Sequence, residues 1–430
     1  MRVLLFDMHV GGHHLEYASQ LRSHLSDHLP EAQVDFLAAA ESEQHHEFFD
    51  ISTIDFLYED DVVLDELSPD GIGDNLRRAI KNPRDDIVAR LFKYVSNHDY
   101  DILHLLHLDD IVGEVHRHGR GVTPEVVGTI NGSYYRIQSY RRTEIARALI
   151  ATHLTEIVSV VPDILSRRGP WNHLNLYRAI RDDVIGELFV PTHRGRDSIQ
   201  RAVQADTLSY SLIPDPIEPW YEDPIPAADA RKNLGLPTEP FTLVFFGEMR
   251  AEKGVDLLID ALASYDGDSM TAVFAGRPVD IDPTDFEVLK TNDAVDVRTE
   301  LGFVPHEDVK SYFFAADAMV LPYRRSFGQF RPSGVFQKAC GSLRPIIAPS
   351  FGVFDDLVTE WDLGVTFEPG SAKSLREAIA SLHSSAGGLY NVDTMREYAT
   401  SQTYDNLAAI TVETYLDLLS RKRDGVTSGS

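Results

Sequence analysis

One cysteine, Cys340, stands in the whole chain, so no internal disulfide can form and a reducing compartment is expected. The sequence also lacks an apolar run of the ~20 residues that a membrane-spanning helix needs. Met1 to Asp7 enters an apolar strand directly, with neither a basic leading stretch nor a small-residue cleavage site. The expectation is therefore no secretory signal and a cytoplasmic protein. Lysine is scarce, with nine among the 40 basic residues, against 67 acidic residues and a formal net charge of −27. A surface of that sign repels phosphate backbones and excludes a broad nucleic-acid-binding face. Abundant acid with little lysine also suits a protein of halophilic type working in molar salt, where screening removes self-repulsion. An ordinary acidic cytosolic enzyme is the other reading.

At 430 residues the chain is long enough for two or three domains, and 43% hydrophobic residues suffice for their cores. Short, almost uninterrupted apolar runs alternate with helical patterns. In the first half strands are expected at Val3–Met8, Val34–Ala38, Ile102–Leu106, Val126–Ile130, Ile157–Val161, Leu188–Pro191 and Leu208–Ile213. In the second they fall at Thr242–Gly247, Thr271–Ala275, Val295–Arg298, Ala318–Pro322, Pro345–Pro349 and Val365–Glu368. Apolar strands alternating with helices mean parallel sheets covered on both faces, with ligands at the carboxyl ends of the strands. Five prolines between Pro214 and Pro226 mark a boundary. The expected organisation is a first domain over 1–213, a Pro-rich linker over 214–241 acting as a hinge, and a second domain over 242–400. A helix over 401–422 would cross back to the first domain, ahead of a disordered tail over 423–430.

Three phrases carry chemistry. Phe245 to Gly254 passes from a strand into a helix; Gly247 permits a sharp turn, and Arg250 and Lys253 present two cations three residues apart, which suits a diphosphate. The alternative is a pair of helix-start residues in surface ion pairs. Leu321-Pro322-Tyr323-Arg324 ends another strand before Pro332-Ser333-Gly334-Val335 opens a helix. Ser333 is a suitable N-cap, the amides after it form an anion site, and Gly334 admits a phosphate close to the backbone; a plain helix cap is the alternative. Near the start, Gly11-Gly12-His13-His14 follows the first strand, but the dinucleotide fingerprint Gly-x-Gly-x-x-Gly is absent. Adjacent histidines do not converge easily on one ion, so no metal is expected. His13, His14, His104 and His107 are candidates to line the acceptor side; for His104 and His107 the alternative is structural histidines. A cationic run of Arg136, Arg141, Arg142 and Arg147, with Arg167 and Arg168 beyond, suits a phosphorylated or lipid-linked acceptor at a membrane surface, or a helix with internal ion pairs.

The second half resembles the donor-binding domain of retaining glycosyltransferases of family 4. The matching words are Ile213-Pro214-Asp215-Pro216-Ile217-Glu218, Phe246-Gly247-x-x-Arg250-x-x-Lys253-Gly254, Leu301-Gly302-Phe303-Val304-Pro305, Leu321 to Arg324, and Ser333-Gly334-Val335 with Arg344-Pro345 behind. In the first half Gly11 to His14 and Thr129-Ile130-Asn131-Gly132 resemble the family's two cleft loops. The resemblance implies a GT-B fold, in which two Rossmann-like doubly wound α/β domains face across a cleft. It implies that Arg250 and Lys253 hold the donor diphosphate and stabilise the leaving nucleotide, aided by Ser333 and the amides of Gly334 and Val335, with Gly12 at donor or acceptor. Charge from two side chains and a helix start replaces a metal. Many relatives carry two glutamates eight positions apart, and here those positions fall on Phe330 and Lys338, of which Lys338 is carried over with Gly11 and Gly247 as a donor contact. Where relatives often have a histidine stands Asn131, which hydrogen-bonds a sugar hydroxyl but is no base at neutral pH.

The sequence reading is thus a cytoplasmic enzyme, with attachment to the inner face of the membrane left open. It would move a sugar from a nucleoside diphosphate sugar to a hydroxyl of a glycan or lipid-linked acceptor, with retention and without a cofactor. A nucleotide-sugar epimerase on the same fold and a catalytically silent sugar-nucleotide binder are the alternatives. Oligomeric state, donor and acceptor identity stay open.

Overall fold

The computed structural model describes residues 1–8, 13–38, 55–56, 83–109, 111–130, 171–203, 209–330, 333–385 and 388–427. The chain divides into two compact units, Met1–Ile213 with Tyr404–Ser430, and Pro214–Thr403.

In the first unit the described elements are β1 (Arg2–Asp7), α1 (His13–His28), β2 (Gln33–Ala38), β3 (Asp55–Phe56), α2 (Pro83–Ser96), β4 (Ile102–Leu105), α3 (Val112–His118), β5 (Glu125–Thr129), α4 (Trp171–Arg181), β6 (Glu187–Val190), α5 (His193–Val203) and β7 (Tyr210–Leu212). The seven strands are parallel, in the order β3-β2-β1-β4-β5-β6-β7. Val3 is in register with Val34 on one side and Ile102 on the other. The order therefore reverses beside β1, which is where such sheets open a ligand crevice. β4 is buried along its whole length, as a strand covered on both faces must be.

The second unit holds α6 (Ala227–Asn233), β8 (Phe241–Phe246), α7 (Val255–Ala263), β9 (Met270–Ala275), β10 (Val295–Glu300), α8 (His306–Ala315), β11 (Ala318–Val320), α9 (Gly334–Gly341), β12 (Ile346–Pro349), α10 (Gly352–Glu360), β13 (Gly364–Phe367), α11 (Ala372–Ser384) and α12 (Val392–Ser401). Its six parallel strands run β10-β9-β8-β11-β12-β13, so the switch point lies between β8 and β11. Two apolar clusters cover the two faces of this sheet, one built around Phe313, Phe336 and Phe354 and the other around Phe245, Phe274 and Leu258.

Residues 214–241 are no linker. Ile217 is fully buried in the second unit's core, and Trp220 meets Phe313 edge-on at 5.5 Å between centroids. Arg231 of α6 is buried and donates to the carbonyl oxygens of Ala315 and Thr238 and to Asp317 at 2.9, 2.7 and 2.6 Å. Prolines stop a segment from joining a sheet, but they do not stop its apolar side chains from packing.

The last helix, α13 (Tyr404–Thr427), belongs to the first unit. Leu407, Ala408, Tyr415 and Leu418 join the cluster formed by α1 and the sheet. Its backbone stays helical to Thr427, where the sequence suggested a disordered tail. The expected strand at 157–161 and the cationic run from Arg136 to Arg168 lie outside the described residues.

Candidate functional site

In the second unit the two motifs from the sequence meet at the switch point. β8 is followed by Gly247, whose φ of +108° is open to glycine alone without strain. A Cβ at Gly247 would lie 3.0 Å from Lys253 Nζ and 3.8 Å from Val335 Cγ2. The missing side chain thus leaves room between a lysine ammonium and the first turn of α9. Lys253 is placed there by the turn before α7. Arg250 precedes a 3-10 turn over Ala251–Lys253, and Gly254, at φ +65°, starts α7. A Cβ at Gly254 would fall 2.1 Å from the carbonyl oxygen of Pro322, so this turn presses on the chain leaving β11. The amide of Arg324 donates to the Glu252 carbonyl at 2.9 Å and locks the two segments together.

Tyr323, fully buried, links the parts. Lys253 Nζ stands 5.9 Å from the centre of its ring, and its hydroxyl lies 3.2 Å from Ser333 Oγ. Ser333 occupies the N-cap of α9 but makes no side-chain cap bond; its hydroxyl faces Tyr323 instead. The capping role suggested by the sequence is thereby corrected, and the opening amides of α9 keep their donor capacity for an anion. Among the described residues, no atom outside its chain neighbours and its own helix backbone comes within 4 Å of where a Cβ on Gly334 would stand.

Two predicted donor contacts are committed elsewhere. Arg250 pairs with Glu248 at 2.6 Å, and Glu248 also pairs with Arg277. Burial pushes the Glu248 carboxyl up, but the bond from Arg277 and the charge of Arg250 outweigh it and hold the group below the usual range. Arg250 also lines a cavity of about 280 Å³ whose walls carry Asp256, Asp280, Asp285 and Arg324, the last paired with Asp256. Lys338 pairs with Glu218 at 2.8 Å and lies 5.0 Å from the Trp220 ring centre. Phe330 is buried.

In the first unit the four acceptor-side histidines separate. His104 is fully buried, with Nδ1 2.7 Å from Tyr415 Oη and Nε2 2.8 Å from Thr129 Oγ1. Burial lowers its pKa to about 3, so it is neutral and structural; the assignment to an acceptor site is corrected. His107 and His14 converge on Asp7, at 2.8 and 3.4 Å from its Oδ2, with ring centres 4.3 Å apart. Asp7 escaped the sequence reading; its signal was an acid closing the first strand, beside the switch point. The backbone of His13 starts α1. Gly11, Gly12 and Asn131 lie outside the described residues.

Residues 227–402 match the family model described as Glycosyl transferases group 1. Over 151 residues the chain is 32% identical to a putative teichuronic acid biosynthesis glycosyltransferase, TuaC, of Bacillus subtilis, covering 35% of each protein. Over 165 residues it is 31% identical to D-inositol 3-phosphate glycosyltransferase 1 of Catenulispora acidiphila, covering 36% of this chain and 38% of that protein. The chain thus matches little more than a third of the length of these relatives. Among solved structures, sucrose-phosphate synthase from Thermosynechococcus elongatus aligns over 98% of this chain and all of its own, with a TM-score of 0.64 at 18% identity. HepE from Anabaena in complex with UDP aligns over the full length of both, at 0.63 and 14%. The fold is GT-B. Among the described residues no helix is long and apolar enough to cross a membrane.

Proposed function

We propose that this GT-B protein is a glycosyltransferase that takes a nucleoside diphosphate sugar and passes its sugar to a hydroxyl acceptor. The observation that carries the reading is that Lys253 Nζ and the Val335 side chain of α9's first turn lie 3.0 and 3.8 Å from where a Cβ on Gly247 would stand, so the glycine leaves an opening between them. A diphosphate needs charge opposite both phosphoryl groups, and here a point cation and a set of oriented amides stand on either side of one opening. Those groups gain strength as the bond to the sugar breaks and charge accumulates on the leaving diphosphate. Arg250 would join them by releasing one arm from Glu248, which Arg277 continues to neutralise. Lys338, tied to Glu218, belongs to the frame behind the site.

The group 1 match supports transfer over the epimerase alternative. The UDP and UDP-glucose in the HepE structures support a nucleotide-sugar donor. Retention is assigned from the resemblance to family 4; front-side displacement needs no protein nucleophile. For the acceptor we keep a glycan or lipid-linked saccharide, in the cytoplasm or at the inner membrane face. No metal is assigned to the donor diphosphate.

A panel of nucleotide sugars, screened by thermal shift at low and high KCl, tests the proposal. One donor should raise the melting temperature of the wild type; at a hundredfold excess over Kd the stabilisation is about 2.7 kcal/mol. Lys253→Ala should abolish that shift, and Arg250→Ala should weaken it. Binding without hydrolysis or transfer in any acceptor screen would favour the silent binder. No shift with any donor at either salt would overturn the diphosphate reading.

A further inference from the structure

We propose that Asp7, His14 and His107 form a binding site for a divalent transition-metal ion, zinc by its donor set. The inference stands apart from the donor site and does not rest on it. The three side chains come from the end of β1, the first turn of α1 and the segment after β4. They offer one oxygen and two nitrogens that all lie within 4.8 Å of one another. Two of the edges, Asp7 Oδ2 to His107 Nδ1 and to His14 Nδ1, are 2.8 and 3.4 Å. A tetrahedral zinc with bonds of about 2.0–2.1 Å sets its ligands roughly 3.3 Å apart, so small rotations of the rings bring all three into place.

Charge argues the same way. The Asp7 side chain is fully buried, and a buried carboxylate requires a positive partner. The imidazole rings facing it have centres 4.3 Å apart. One divalent ion serves the carboxylate while leaving both rings neutral, each using the Nδ1 lone pair and carrying its proton on Nε2. Two imidazoles and one carboxylate form a borderline-soft donor set that suits zinc. The ring of His14 is 21% exposed and that of His107 14%, so solvent reaches the edge of the cluster. Three protein ligands and one open position describe a site that takes an oxygen ligand, water or a substrate hydroxyl. It lies at the carboxyl ends of β1 and β4, where the strand order reverses. The sequence argument against metal concerned His13 with His14; this cluster uses only one of that pair.

The test uses the full-length protein, stripped with chelator and titrated with ZnCl2 by calorimetry, alongside elemental analysis of the protein as purified. We expect one zinc per chain, with His14→Ala and His107→Ala each weakening it at least tenfold while the circular dichroism spectrum and melting temperature of the metal-free protein hold. Cobalt(II) should give the intense visible absorption of tetrahedral coordination in the wild type and lose it in both variants. Asp7→Asn serves only as a third variant, because the buried position makes folding itself a risk. Failure of the wild type to bind one equivalent would overturn the proposal. So would unchanged zinc affinity in the two histidine variants, which would place the ion on other groups of this acidic chain.

Discussion

Gly247 and Gly254 stand seven residues apart on one loop, both at positive φ, and the two should fail differently. At Gly254 a methyl group would meet the Pro322 carbonyl oxygen at 2.1 Å, a backbone atom of the segment just past β11. Gly254→Ala therefore has to push that segment away from the turn, and should cost about 3 kcal/mol or more in denaturant unfolding. At Gly247 the methyl would meet the end of a lysine side chain at 3.0 Å, and that end swings aside at little cost. Gly247→Ala should lose on the order of 1–3 kcal/mol from its backbone conformation. Its larger effect should be on the ligand, because the displaced ammonium and the added methyl both occupy the opening. Donor-induced thermal shift should vanish in Gly247→Ala under conditions where the variant is still folded. A Gly247→Ala protein that binds donor like the wild type would mean that the opening is not the diphosphate site.

Among the elements, β4 shows how a functional guess from sequence becomes a structural finding. His104 ties its strand to β5 through Thr129 and to α13 through Tyr415, 311 residues further along. Its pKa is lowered from 6.5 to about 3 by burial, so the folded protein keeps the ring neutral while the unfolded chain protonates it. Below pH 6.5 the unfolded state binds a proton that the folded state refuses, and stability falls as pH drops from 6.5 towards 3. The slope is on the order of 1.4 kcal/mol per pH unit. His104→Gln keeps polar contact with both hydroxyls and removes the titration. The stability advantage of the wild type over this variant, by urea melts, should therefore shrink between pH 7 and pH 4.5; an advantage that stays constant would refute the buried neutral ring. The alternation of strands, the loop from Gly247 to Gly254 and the start of α9 were legible because period and glycine placement are local signals. His104 and His107 were not separable, since adjacent strand ends look alike until the sheet sets which ring turns inward. Asp7 needed three distant segments to be brought together. The Pro-rich stretch was misread because proline reports on backbone regularity, whereas burial of Ile217 and Arg231 depends on partners far along the chain.

For the molecule as a whole, the surplus of 67 acidic over 40 basic residues sets a long-range term that no single contact reports. Its surface ion pairs, such as Arg298 with Asp296 and Lys290 with Glu287, are exposed on both sides and contribute ~0–1 kcal/mol each. Salt weakens them and weakens the mutual repulsion of the uncompensated carboxylates at the same time. With a net charge of −27 the repulsion dominates, so screening should stabilise the fold. The melting temperature should rise by several degrees between 0.1 and 2 M KCl. The shape of the rise identifies its cause. The Debye length shrinks from about 10 Å at 0.1 M to about 3 Å at 1 M, so a screening effect is mostly complete by molar salt. Exclusion of salt from the surface keeps adding stability with concentration, and sulfate far exceeds chloride in that effect. A curve that saturates near 1 M and is the same for NaCl and KCl supports an acidic surface adapted to high salt. A linear rise seen only with sulfate would instead make this an ordinary acidic protein, and a flat curve would show that the repulsion is already relieved by the spacing of the charges.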